Sequence, residues 1–437
     1  MHIKPSVISD VFNDAMGEIA YIEQIQIVVD FDRPLEKKVL EKAFLALLKN
    51  HSVFGYFFVP RFIWPYWERF DDETLAERAR IERVLVKQED MEGETERFLA
   101  LPMDHHKEPQ LRLNLIAHEG GERLILKVNH MAADAAGTKD TMYLLADLYS
   151  KMLDDEHFVP RSDSGSRGIY QVLRGSLPQK IPGMMLNYFK DIYDSFRFPD
   201  PLTLASGHHR VGDPVFLFHR FAPKTMEVIA RLRDRHGVTI NDVLLTSMVH
   251  GALAFDSRET GQMMRLMGTV DLRRYLSSGT PPNFTNLSSF FFPQVGSYEG
   301  ESFSETLIRV KEVMDGLKQQ DMGLGWIFGS VVMLGAYPFG VKKKIIHSIF
   351  NRLAQQNNMG LSLTNLGELD ARRLQFGQLT PHNAVVVTPG CIPPSFFMGV
   401  SGFSDSLTLS MGFYESAFES DRIRDFFAAM ESAVLSG

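Results

Sequence analysis

Two apolar runs joined by a glycine pair constrain this chain more than any other feature. Leu111-Arg-Leu-Asn-Leu-Ile and Arg123-Leu-Ile-Leu-Lys-Val-Asn-His flank Glu119-Gly120-Gly121-Glu122. Glycine supplies the backbone freedom a tight turn needs, so the pair reads as an antiparallel hairpin whose second strand ends at His130. Beyond Gly137, Thr138 can cap a helix from Lys139 to about Leu153, with Met142, Leu145, Ala146 and Tyr149 on one face. Paired strands followed by an amphipathic helix need a sheet with helices packed against it.

That pattern occurs in both halves. In the first, Ala20 to Val29 reads as a strand. Pro34 to Lys49 reads as a helix carrying Leu35, Val39, Leu40, Ala43, Leu47 and Leu48 at helical spacing, and a charged stretch with helical potential lies at Asp71 to Arg80. A polar connection, Ser162 to Gly168, precedes an amphipathic segment from Tyr188 to Phe198. The second half restarts with a strand, Val215-Phe-Leu-Phe-His-Arg-Phe, and a helix from Pro223 to His236 that Gly237 ends. Asn241-Asp242 opens another helix, Val243 to Phe255. Strand signals at Ala384-Val-Val-Val-Thr and Ser406 to Tyr414 precede a terminal helix from about Ser420 to Leu435. The expected class is α/β (α+β) with two lobes: residues 1–165, a connection at 166–205, and residues 206–437. A length of 437 residues agrees, being long for one core when domains run to about 100–200 residues.

Composition narrows the function classes. Hydrophobic residues make up 44% and charged residues 23%, the balance of a folded protein, and the net charge of −8 gives no general attraction to nucleic acid. The only cysteine is Cys391, which excludes a disulfide framework or a multi-cysteine metal site. The start, Met1-His2-Ile3-Lys4-Pro5-Ser6, has no secretory signal pattern, so a cytoplasmic location is expected. Leu324 to Val341 is apolar and followed by Lys342, Lys343 and Lys344, but Gly325, Gly329, Gly335, Pro338 and Gly340 interrupt it. It reads as a buried helix pair lining a core or channel, with peripheral contact at the inner membrane face as the second reading.

A histidine four residues before an aspartate occurs twice, and on the order of one such spacing arises by chance in a chain of this kind. His209 to Asp213 is preceded by a second histidine, His208, but no strand holds it and Pro214 follows. His130 to Asp134 has a strand before it, a helix after it, and Ala132, Ala133, Ala135, Ala136 and Gly137 leaving space around it. Imidazole, with a reference pKa near 6.5, suits proton abstraction at neutral pH. From these residues alone His130 is a core histidine or a base. Cys391, in Pro389-Gly390-Cys391-Ile392-Pro393-Pro394, reads as an inert loop thiol. His105 and His106 read as part of a solvated loop, adjacent residues of a strand pointing to opposite faces, so no metal site is expected.

Most of the chain resembles the chloramphenicol-acetyltransferase-like superfamily, which includes nonribosomal peptide condensation domains, polyketide-associated acyltransferases, alcohol acetyltransferases and bacterial wax-ester synthases. The family signature of two histidines, three residues and Asp-Gly corresponds here to Asn129-His130-Met131-Ala132-Ala133-Asp134-Ala135. Phe44 to His51, Asp104 to Arg112, Thr239-Ile-Asn-Asp-Val-Leu-Leu, Leu363-Thr364-Asn365-Leu366-Gly367 and Asp405 to Phe418 resemble further landmarks in the family's order. No counterpart of the plant branch's Asp-Phe-Gly-Trp-Gly stands near Gly402-Phe403.

The resemblance implies two lobes, each a mixed sheet with flanking helices, forming a V around a central channel. It implies an acyltransferase with His130 as general base, acting by direct attack without an acyl-enzyme. Asp134 would support the motif through an arginine, Arg273 or Arg112, with Asn129 in the place of the first histidine. Gly137, Thr364, Asn365 and Gly367 are expected along the channel. Nothing would be bound permanently. Acyl-CoA or a phosphopantetheine thioester on an acyl carrier protein would be the cosubstrate, and the acceptor a small-molecule or lipid-like alcohol or amine. Asn129 and Ala135, where the family has His and Gly, leave a second expectation: a degenerate member that binds an acyl chain or carrier protein without catalysis.

Overall fold

The computed structural model describes residues 2–437 except 20–23, 163–164, 174–179, 198–203, 206–210, 256–260, 277–282, 297, 299, 356–359 and 393–394. His208 and His209 fall outside the described residues, as does the start of the strand expected from Ala20. The protein is a mixed α/β structure of two lobes, each with its own apolar core.

The hairpin organises the first lobe. Leu111–His118 and Gly121–Asn129 pair antiparallel with His118 opposite Gly121. A side chain at Gly121 would place its Cβ 2.0 Å from the Phe31 carbonyl oxygen, so the turn closes only with glycine. Gln24–Phe31 pairs on the other side of Gly121–Asn129, and Glu82–Leu85 borders Leu111–His118. Leu124, Leu126 and Val128 point into the main core of this lobe, packed by helices Lys37–Asn50 and Ala135–Asp154. The alternate residues face helix Met91–Ala100, where Ile125 is apolar. Lys127 Nζ is satisfied there by the Leu101 and Leu99 carbonyls and Gln24, and Arg123 by Asp30. Both faces are covered, which is why the strand reads as a nearly continuous apolar run.

The fifth strand of this sheet, Asn383–Val387, comes from far along the chain and pairs antiparallel with Gln24–Phe31. Leu366, Leu374, Phe376 and Phe403 also enter the first core, while Ala15 and Met16 enter the second. The second sheet runs Ser288–Phe291, Met267–Asp271, Leu361–Glu368, Phe396–Phe403, Ser406–Tyr414, with Pro214–Arg220 and Gly390–Cys391 both joined to Ser406–Tyr414. Helices Pro223–His236, Ile240–Leu253 and Ser420–Ser436 pack against it, Ile240–Leu253 starting at a Thr239–Asp242 capping box, and Phe303–Gln319 packs outside on Ile240–Leu253.

Three sequence expectations change. The helix after the motif begins at Ala135, with Asp134 and not Thr138 as its cap, because the carboxylate accepts from Gly137 N. Cys391 lies in a two-residue strand. The apolar segment forms helices Leu324–Gly335 and Phe339–Gln355, with buried anchors at Leu324, Leu334 and Phe339, but Val332, Met333, Tyr337 and Val341 are exposed. Among the described residues no helix is long and apolar enough to cross a membrane.

Candidate active site

His130 stands just past the end of Gly121–Asn129, half-buried, on a turn whose next three residues are fully buried. Asn129 makes that turn: its Oδ1 accepts from Met131 N at 3.0 Å and its carbonyl from Ala132 N at 2.9 Å. Two amide side chains hold the His130 backbone, Asn13 Nδ2 donating to the His130 carbonyl at 3.0 Å and Asn286 Nδ2 at 2.7 Å. Asn286 Nδ2 also donates to the Met131 carbonyl at 3.2 Å.

This orientation decides the imidazole tautomer. With its NH2 on two carbonyls, Asn286 presents Oδ1 to His130 Nδ1 at 3.0 Å, and an amide oxygen only accepts. In the neutral imidazole Nδ1 therefore carries the proton, and the lone pair lies on Nε2.

Two buried arginine–carboxylate pairs fix the loop. Asp134 accepts from Arg273 Nη1 and Nη2, each at 2.9 Å, and from Gly137 N and Leu287 N at 2.9 and 2.7 Å. Burial alone would raise the Asp134 pKa, but the Arg273 charge and these hydrogen bonds outweigh it and hold the carboxyl below its usual range. Arg273 also bonds Asp271 and the Thr285 carbonyl, and its pKa is driven up by the two carboxylates despite burial. On the other side, Arg167 makes a bidentate pair with Asp10 and donates to the Met131 carbonyl, all at 2.9 Å. Asp10 further accepts from Trp67 Nε1 and Val7 N. Arg112 pairs with Glu108, not with Asp134.

A cavity of about 390 Å³ opens onto His130. Its polar lining includes His130, Asn13, Asn286, Lys139, Thr364 and Asn365, and its apolar lining Phe12, Phe290, Trp326, Ile327, Leu334 and Ile169. Thr364 Oγ1 lies 2.5 Å from Thr269 Oγ1, and Asn365 Oδ1 accepts from Gly367 N at 3.0 Å. Gly367 has φ +74° and lines the same cavity. Gly137 does not; it borders a separate cavity with His51, Tyr143 and Arg373. Ala135 is an ordinary first helical residue outside the left-handed region, so the missing glycine causes no strain.

Other sequence candidates fare differently. His105 and His106 lie in a turn, not a strand, and both rings reach Asp14, at 2.9 and 3.3 Å. Lys343 Nζ joins them 2.8 Å from the same carboxylate. Burial would raise the Asp14 pKa; the two histidines and Lys343 together hold it well below the usual range. Cys391 is fully buried, and burial pushes its thiol up to about 12, the state of an inert cysteine.

Sequence reasoning missed Asn286, Asn13, Arg167 and Asp10. The available signal was weak: Asn283, Thr285 and Asn286 are an unusual polar cluster directly before the strand Ser288–Phe291.

No family model matches the chain, and no match emerges from the curated proteins. Solved structures do match over nearly the whole length. The first condensation domain of the calcium-dependent antibiotic synthetase superposes with a TM-score of 0.74 at 15% identity, covering 99% of this chain and 96% of that one. The TRI3 trichothecene 15-O-acetyltransferase of Fusarium sporotrichioides gives 0.71 at 12%, covering 99% and 95%. Polyketide synthase associated protein 5 of Mycobacterium tuberculosis gives 0.68 at 14%, covering 99% and 98%. The chain has the chloramphenicol-acetyltransferase-like fold.

Proposed function

We propose that the protein transfers an acyl group from a CoA or carrier-protein thioester to a hydroxyl or amine acceptor, with His130 as general base. The observation that carries this reading is the Asn286 contact, which puts the proton on Nδ1 and the lone pair on Nε2 of a histidine lining the cavity. Nε2 takes the acceptor's proton while its oxygen or nitrogen attacks the thioester carbonyl, the C–S bond breaks as the oxyanion collapses, and the imidazolium returns the proton to the leaving thiolate. The acyl group passes directly, with no covalent enzyme intermediate. Asn129 and Ala135 fit an active site: one forms the turn, the other starts the helix without strain.

The test is thiol release from a panel of acyl-CoAs with alcohols and amines. His130→Ala should lower turnover by roughly 10²–10⁴-fold without unfolding the protein. A protein that binds an acyl chain yet releases no thiol from any pair would support the non-catalytic alternative.

A further inference from the structure

We infer that the turn between helices Leu324–Gly335 and Phe339–Gln355, with the loop at Arg61–Trp64, docks on an anionic lipid surface from which an apolar substrate reaches the cavity. Phe62 and Ile63, adjacent in the loop, are 81% and 70% exposed, and what marks them is that further exposed apolar side chains lie beside them. Phe339 N donates to the Phe62 carbonyl at 3.0 Å, so this loop lies beside the helix turn. There Val332, Met333, Tyr337 and Val341 are exposed as well. Helix Ile181–Arg197 extends the surface. Gly325 and Gly329 let it pack close to Leu324–Gly335, against Met184 and Tyr188 respectively. The two helices therefore run in the same direction, and Phe189 and Tyr193 of Ile181–Arg197 are exposed.

Charge selects the occupant. Residues 322–355 contain Lys342, Lys343, Lys344 and Arg352 and not one Asp or Glu, in a chain whose net charge is −8. Lys343 is engaged by Asp14 and Glu18 and Lys342 is buried with its ammonium over the Trp64 ring, while Lys344 and Arg61 are exposed beside the apolar side chains. Aromatic and aliphatic tips rimmed by cations are what a protein inserts into the headgroup layer of an anionic bilayer.

The surface leads inward. Helix Leu324–Gly335 turns Trp326, Ile327 and Leu334 into the main cavity while Val332 and Met333 face out. A second cavity of about 440 Å³, walled by Trp64, Tyr170 and Val331, shares Ile8 and Ile169 with the main one and lies toward the patch. The route for substrate rests on the acyl-transfer reading; the docking surface does not.

The test is co-sedimentation with phosphatidylcholine vesicles, with and without about one third phosphatidylglycerol. The wild type should bind the anionic vesicles, and salt should weaken binding. The double variant Phe62→Ser/Ile63→Ser should bind at least about tenfold less while keeping its melting temperature and its thiol release on a short, water-soluble thioester. No binding by the wild type, equal binding by the variant, or a stable solution dimer that the double substitution dissociates would overturn the inference. Vesicle binding by a protein that transfers no acyl group would sustain the surface and sink only the function it serves.

Discussion

The loop carrying His130 is gripped by two arginines that hold it in different ways. Arg273 takes the side chain at the loop's end: it pairs with Asp134, which also caps the following helix and accepts from Leu287 N. Arg167 takes the backbone: it pairs with Asp10 and spends its remaining donors on the Met131, Ala132 and Phe284 carbonyls. Both carboxylates accept four hydrogen bonds from three residues and have virtually no exposure. One pair is an anchor between the halves of the chain, and the other is a brace on the peptide units next to the imidazole. Buried ion pairs add little stability over apolar packing but are costly to break, so this arrangement sets position more than it adds stability.

Separate substitution tests that difference. Arg273→Met should cost about 3–5 kcal/mol in urea unfolding, because Asp134 is left buried with only two amide donors. The pH dependence should invert. In the wild type the depressed Asp134 pKa contributes stability that is lost as pH falls through the acid range; without Arg273, burial raises that pKa and stability falls as pH rises. Arg167→Met should cost a similar amount, about 3–5 kcal/mol, as for breaking any buried pair, since Asp10 is likewise left buried with two donors, Trp67 Nε1 and Val7 N. Its turnover per folded molecule should nevertheless fall further than that of Arg273→Met. Equal turnover losses would erase the distinction between anchor and brace.

Asn286→Ala isolates the imidazole from both arginines. Turnover should drop by about 10–100-fold with little change in stability as the Nδ1–H loses its acceptor. Unchanged turnover would mean that Asn286 only supports the backbone. The smallest effect concerns Cys391, buried in the second lobe with its thiol pushed up to about 12. It should resist thiol reagents in the native wild type and in Asn286→Ala alike, reacting only through unfolding. Rapid labelling in an arginine variant would show that the disturbance had spread beyond the loop.

The same contrast marks how far the sequence could be read. Strand, motif, helix and Asp134 lie within about thirty residues and declare themselves by periodicity, a glycine turn and small residues. The two-lobe α/β architecture and the helices ended by Gly237 or started near Asn241 were legible for the same reason. What escaped was long-range. Asp10 and Arg167 are 157 residues apart and Asn286 lies 156 from His130, with no local pattern to mark any of them as partners. Asn383–Val387 looks like any apolar strand, and nothing local says that it joins the first sheet. His105 and His106 read as part of a solvated loop and do lie in a turn, but no local pattern says that the turn lets the adjacent rings converge on Asp14. The segment 324–341 reads as a buried helix pair lining a core or channel, and its exposed turn becomes visible only when burial is known residue by residue.

The central claim is that His130 Nε2 removes the acceptor's proton. Its most direct test compares wild-type and His130→Ala turnover under saturating thioester and acceptor, with the melting temperature measured on the same samples. The account predicts a loss of roughly 10²–10⁴-fold in turnover at an unchanged melting temperature. A folded His130→Ala protein that turns over its substrates at the wild-type rate would contradict it.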